Sequence, residues 1–169
     1  VDDAATGTLA LSGVAAEGAT VQASFSSVTD PDGETTVAYQ WRLGESASGS
    51  WTDLAGATSA SYAIADDQSQ VGKYLQVVVT TTDALGGKTQ FLSEAQHVTN
   101  VDDPSVLTAD LAQVRGDRPV SGNVLDNDSD VDSVLSVASF TVAGDQSVHA
   151  AGQTVDVTGV GSFTLAANG

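Results

Sequence analysis

A pair of acidic clusters that recurs about 100 residues along the chain constrains its fold more than any other feature. Val1-Asp2-Asp3 is followed by Thr29-Asp30-Pro31-Asp32-Gly33. Val101-Asp102-Asp103-Pro104 is followed by Asp126-Asn127-Asp128-Ser129-Asp130-Val131-Asp132. The second cluster trails the first by much the same interval in both copies. A fold that opens with this pattern is therefore begun again part-way along the chain. The 169 residues suffice for two small domains. The predicted division is 1–101 and 102–169, with a short linker at 99–104 (Thr-Asn-Val-Asp-Asp-Pro) that Pro104 stiffens.

Both parts read as all-β. The chain is rich in Val, Thr, Ser, Ala and Gly, and helix-period patterns are absent. Seven strands are predicted in the first part: Thr8–Ser12, Thr20–Val28, Thr36–Leu43, Ser50–Leu54, Ser61–Ala65, Lys73–Asp83 and Lys88–Val98. Seven short strands in about 100 residues match a Greek-key sandwich of immunoglobulin type. Alternation puts Val37, Tyr39, Trp41 and Leu43 on one face, and predicts Leu75, Val77, Val79, Val21, Ala23 and Phe25 to face inward. With no cysteine in the chain, Trp41 is expected to rest on aliphatic neighbours. Gly86-Gly87 marks a hairpin. In the second part strands are predicted at Val106–Ala109, Arg118–Val124, Val134–Val142, Thr154–Val157 and Ser162–Ala166. They carry few large apolar groups, so this sandwich reads as short or incomplete.

Five basic residues against 22 acidic ones give a net charge of -17. A field of that sign repels nucleic acid and anionic lipid alike. It also calls for screening, by divalent cations or by salt. No apolar run is long enough for a membrane-spanning helix, and no membrane insertion is expected. The chain reads as an interior segment of a longer protein. Thiolate metal sites and cysteine nucleophiles are excluded. There is no phosphate-cradling glycine loop, nucleophile elbow or zinc motif. The acids gather at turns rather than around an aromatic cleft, which argues against an enzyme. His97 is expected at a strand edge and His149 in a turn, both solvated.

Clustered carboxylates suit a hard cation that takes six to eight oxygen ligands. Asp126, Asp128, Asp130 and Asp132 fall on the first four odd positions of an EF-hand loop. Val131 replaces the glycine that loop needs, however, and Val137 its closing glutamate, so this is not an EF-hand. Asp also favours turns for its own sake, and capping is the competing reading.

The strings Tyr39-Gln40-Trp41, Ser50-Trp51-Thr52-Asp53-Leu54-Ala55-Gly56-Ala57-Thr58, Val71-Gly72-Lys73 and Thr81-Thr82-Asp83-Ala84-Leu85-Gly86-Gly87 resemble bacterial immunoglobulin-like repeats of giant RTX-type adhesins. The string from Gly122 to Asp130, with Gly161-Ser162-Phe163-Thr164-Leu165-Ala166-Ala167-Asn168-Gly169 later, resembles a VCBS or cadherin-like repeat. The resemblance implies a stalk of tandem β-sandwiches at the bacterial cell surface, exported by type I secretion and stiffened by calcium (Ca2+) at the junctions. In similar repeats more strands follow the Ala-Asn-Gly turn, so Gly169 is expected to mark either a cut or an insertion point. The junction reading takes Asn100, Asp102 and Asp103 as linker ligands. Asp128, Asp130 and Asp132, with Asp126, would come from the following domain, and Glu17, Asp66 and Asp67 from the preceding one. Asp2, Asp3, Asp30 and Asp32 form an earlier half-site, expected to need ligands from an upstream neighbour.

The expected function is structural: an extender or near-tip segment of a secreted adhesin, monomeric, with calcium ions and neighbouring repeats as its partners. The alternatives are part of a scaffold presenting a sugar- or peptide-binding module, and a non-catalytic accessory module of a secreted enzyme. Phe140 and Phe163 are the only aromatic residues in 105–169, which counts against direct sugar binding.

Overall fold

The computed structural model describes residues 3–113, 115–116 and 118–169. It divides into two compact units, Val1–Val101 and Asp102–Gly169. Strands form where β-branched and aromatic residues alternate with polar ones, and the connections carry Gly, Asp and Ser. Among the described residues no helix is long and apolar enough to cross a membrane.

Unit 1 is an antiparallel β-sandwich. Its strands are β1 (Thr6–Ser12), β2 (Thr20–Thr29), β3 (Thr36–Gly44), β4 (Trp51–Asp53), β5 (Ser61–Ala63), β6 (Tyr74–Thr82), β7 (Lys88–Leu92) and β8 (Gln96–His97). One sheet has the order β1-β2-β5. The other has the order β4-β3-β6-β7, and β8 also pairs with β6. The predicted last strand is thus two strands, because the chain breaks at Ser93, whose hydroxyl accepts from the Val77 N–H at 3.1 Å.

The predicted inward faces meet as the core. Val21, Ala23, Trp41, Leu75, Val77 and Val79 are all buried, together with Ala15, Ile64 and Val98. Trp41 is fully buried. Its indole N–H donates to the Ser59 carbonyl at 2.9 Å, which satisfies its one polar atom. Aliphatic Val77 lies opposite it in the β3–β6 register, and the unforeseen Tyr62 stacks on it at 5.8 Å. Tyr74 packs edge-on against His97 at 5.1 Å. On the outer face the guanidinium of Arg42 donates to the Gln76 side-chain oxygen at 3.0 and 2.6 Å and lies over the Trp51 ring.

The two ends of unit 1 matter most for function. Strands β2 and β6 both run from the end bearing Glu17 and Asn100 to the end bearing Asp30 and Asp83. A ten-residue strand at about 3.3 Å per residue separates these ends by roughly 30 Å.

Unit 2 departs from its sequence reading. Its strands are two short antiparallel pairs, β9 (Ser139–Phe140) with β10 (His149–Ala150), and β11 (Thr154–Val157) with β12 (Gly161–Thr164). Residues 106–109 contribute only a bridge between Val106 and Ser129, and 118–124 form no strand. His149 stands on β10, not in a turn, with its Nε2 2.9 Å from an Asp145 carboxylate oxygen. The reason is burial. Among the described residues no side chain of unit 2 is fully covered, and Leu111 and Val134 are 99% and 97% exposed. β-Propensity measures how well a residue fits a packed, pleated surface, and here the alternating residues have little to pack on. Phe140 and Phe163 meet edge-to-face at 5.5 Å.

Trp41→Ala is expected to lower the unfolding free energy by about 3–5 kcal/mol, the usual range for removing a large buried aromatic. Urea unfolding followed by circular dichroism measures this. A loss below about 1 kcal/mol would contradict the placing of the core on Trp41.

Candidate metal centres

At one end of unit 1 the Asp-rich turn is positioned by a β-bulge. Thr6 pairs with Thr29, but Thr8 pairs with Ser26, so β2 holds one residue more than β1 over this stretch. Ser27 absorbs the extra residue with φ 55°, and such bulges re-aim the chain that follows. The Asp30 carboxylate then accepts the Asp32 N–H at 2.9 Å, a local Asx turn. The Asp32 carboxylate accepts the Asp3 N–H at 2.6 Å, across 29 residues. Asp2 lies outside the described residues.

A third carboxylate joins them. The register of β3 on β6 sets Thr36 opposite Thr82, so Asp83 emerges beside the 30–35 loop. Asp83 is 7% exposed. Its Oδ1 accepts the Leu85 and Gly87 N–H groups at 2.6 and 3.0 Å, fixing the Gly86-Gly87 hairpin. Asp30, Asp32 and Asp83 each bring a carboxylate oxygen within 4.8 Å of the others. Ligand bonds of about 2.3–2.6 Å place oxygens on opposite sides of one calcium ion roughly 4.6–5.2 Å apart. The triad therefore fits a single hard cation. Without one, each carboxylate pair repels by about 1 kcal/mol in water and about 4 kcal/mol at a protein surface.

Unit 2 repeats the clamp. The Asp103 N–H donates to the Asp132 carboxylate at 2.5 Å, again across 29 residues. The Asp132 N–H donates to Asp130 Oδ1 at 2.9 Å. Val106 and Ser129 exchange backbone bonds of 2.8 and 3.0 Å, in the place that Thr6 and Thr29 hold in unit 1. Asp128 accepts the Thr108 N–H at 2.7 Å, and Asp126 donates its N–H to the Asn123 carbonyl at 3.5 Å. Asp102 is exposed. Among the described residues, Asp128, Asp130 and Asp132 do not converge as the unit 1 triad does.

Hydrogen bonds hold the Asp130 carboxyl below its ordinary pKa of 3.8. The Ser105 hydroxyl contributes most, followed by the Asp132 N–H. Ser105 donates to Asp130 Oδ2 at 2.7 Å. A carboxylate so held stays charged and available as a ligand.

The other end of unit 1 is organised around Glu17. Its backbone N–H donates to the Thr99 carbonyl at 3.0 Å. Its Oε2 accepts the Val101 N–H at 3.3 Å and the Gln68 amide at 3.2 Å. The same Gln68 nitrogen donates to Asn100 Oδ1 at 2.6 Å. Glu17 is 5% exposed, and its Oε1 is buried without a hydrogen-bond partner. Asp66 lies against Gly18. Asp67 instead accepts the Ser69 N–H and hydroxyl, a turn cap. The structure thus brings Glu17 together with Asn100, and Asp30 with Asp32.

Asp83 and Gln68 are additions that the sequence reading missed. Both are recruited by strand register and loop return rather than by spacing. The one local sign was Asp83 standing ahead of a Gly-Gly hairpin. Every donor at these ends is oxygen, which suits calcium or magnesium and not a soft metal. Comparison of the chain with protein-family models, with curated proteins and with solved structures finds no match.

The Asp130 shift has a definite sign. Its folded pKa lies below the unfolded value, so its contribution to stability is present above about pH 3.8 and is lost as pH falls through the folded value. The carboxyl carbon of Asp130, followed by NMR, is expected to titrate below 3.8, and Ser105→Ala to move the midpoint upward. A midpoint at or above 3.8 in the unsubstituted protein overturns this.

Proposed function

We propose that the chain is a length-giving segment of a secreted bacterial adhesin, built from tandem β-sandwich units whose acidic ends bind calcium. The observation that carries this reading is the recurring clamp. A carboxylate accepts a backbone N–H across 29 residues in each unit, Asp32 from Asp3 and Asp132 from Asp103. The same device at the same spacing suggests a repeated module rather than one irregular domain.

The donor sets support calcium. The triad of Asp30, Asp32 and Asp83 has oxygens close enough for one ion, and the buried Glu17 carboxylate has one oxygen unmet. Calcium would supply the positive charge that a chain of net charge -17 lacks. The residues do the rest. Asp30, Asp32 and Asp83 would hold an ion at one end of unit 1, with Asp3 tied to Asp32. At the other end of unit 1, Glu17 and the linker residue Asn100 are joined through Gln68. With these charges neutralised the linker would stiffen, and binding to the folded state would stabilise it by mass action. A structural role needs no catalytic constellation, and extracellular calcium suits the adhesin setting.

Small-angle scattering and thermal melting of the full chain test this. Calcium is expected to extend the maximum dimension or sharpen its distribution, and to raise Tm; chelator should reverse both. A scattering dimension that calcium leaves unchanged rejects the proposal. Asp83→Asn is expected to weaken calcium binding at least tenfold by calorimetry. Retention of every site at full affinity would remove Asp83 from the ligand set.

A further inference from the structure

We propose that the side-chain amide of Gln68 is a cation-responsive switch at the Glu17 end of unit 1. Its NH2 group ties the ligand oxygens together in the ion-free protein. Its carbonyl oxygen replaces that group when a hard divalent cation is bound. The ligand class rests on the calcium reading above; the switch itself uses only residues of unit 1.

Glu17 is 5% exposed, and among the described residues no Lys, Arg or His forms an ion pair with it. A buried carboxylate is costly unless it is paired or hydrogen-bonded. Its Oε2 is met by two N–H donors, from Val101 and Gln68. Its Oε1 is buried with no hydrogen-bond partner. An unmet buried acceptor is costly, the more so when charged. The carboxylate is therefore half satisfied, and the unsatisfied half needs a positive charge or a donor.

Gln68 meets the other oxygen of the same carboxylate. Its Nε2 donates to Glu17 Oε2 at 3.2 Å and to Asn100 Oδ1 at 2.6 Å. One NH2 group thus joins two oxygens from different loops, acting as a weak substitute for a cation. An amide is close to symmetric in shape and opposite in polarity at its two ends. A half-turn about its last torsion exchanges nitrogen for oxygen and leaves the carbon skeleton in place. In the turned state the Gln68 oxygen would face the oxygens of Glu17 and Asn100. Three oxygens face to face repel one another without a cation, and they form part of a calcium-type shell with one. The two orientations are thus each stable under one condition only, as a two-state element requires.

The test uses the full chain labelled with 15N, with the Gln68 side-chain NH2 resonances assigned by their loss in Gln68→Glu. Calcium chloride titrated to millimolar concentration is expected to shift both Gln68 resonances out of their hydrogen-bonded positions, saturably and reversibly with chelator. Glu17→Gln, checked for folding by circular dichroism, is expected to abolish that response. Gln68→Glu cannot donate to either oxygen, so its ion-free Tm should fall and its calcium-induced rise in Tm should exceed that of the unsubstituted protein. Gln68 resonances unmoved by calcium, or moved equally in Glu17→Gln, or equal Tm rises in Gln68→Glu and the unsubstituted chain, each overturn the switch. A Gln68 response with no change in scattering dimension supports the switch while rejecting the stalk reading. A change in dimension with Gln68 unmoved rejects the switch alone.

Discussion

A carboxylate that grips a backbone N–H far back along the chain is the interaction on which the functional ends depend. Asp32 holds Asp3 and Asp132 holds Asp103. A charge-assisted bond of this kind is roughly twice as strong as a neutral one. It does two things at once. It closes the entry of each unit onto its first long loop, and it holds the residue whose own N–H the Asp30 or Asp130 carboxylate accepts in an Asx turn. The acidic loops are consequently pre-formed, and a ligand there would meet less ordering cost than in a free loop.

The charge balance gives those loops their character. With 22 acids and five bases, few carboxylates can find a cationic side chain. Ion pairs join Lys73 to Glu45 and His149 to Asp145. The protein instead answers its carboxylates with backbone N–H groups and hydroxyls, as at Asp83, Asp130 and Asp67. At Asp130 and Asp67 those donors orient the carboxylate within its own turn.

The strands of unit 1 were legible because burial there follows a period of two. Trp41, Val77 and Val21 fall on the faces that alternation assigns them. The acidic clusters were legible as clusters. Their membership was not, because Asp83 reaches Asp30 through the β3–β6 register and Gln68 reaches Glu17 through a returning loop. Neither relation is written in local spacing. Unit 2 misled for a different reason. Val106, Val134 and Leu107 carry strand propensity, yet all three remain largely exposed, so sequence pattern and packing part company there.

The pairing of Ala16 with Thr99 runs parallel, and it has a mechanical meaning. The chain leaves unit 1 alongside residues 15–17, bonded through Thr99 N–H to the Ala15 carbonyl and Glu17 N–H to the Thr99 carbonyl, both at 3.0 Å. A pull between Asp3 and Val101 loads this parallel ladder lengthwise. Its bonds then share the force and must break together, instead of unzipping one at a time. Under such a load the last few residues of the unit would resist in shear, with the Glu17 side chain bonded to the Val101 N–H at the outer end of the bridge.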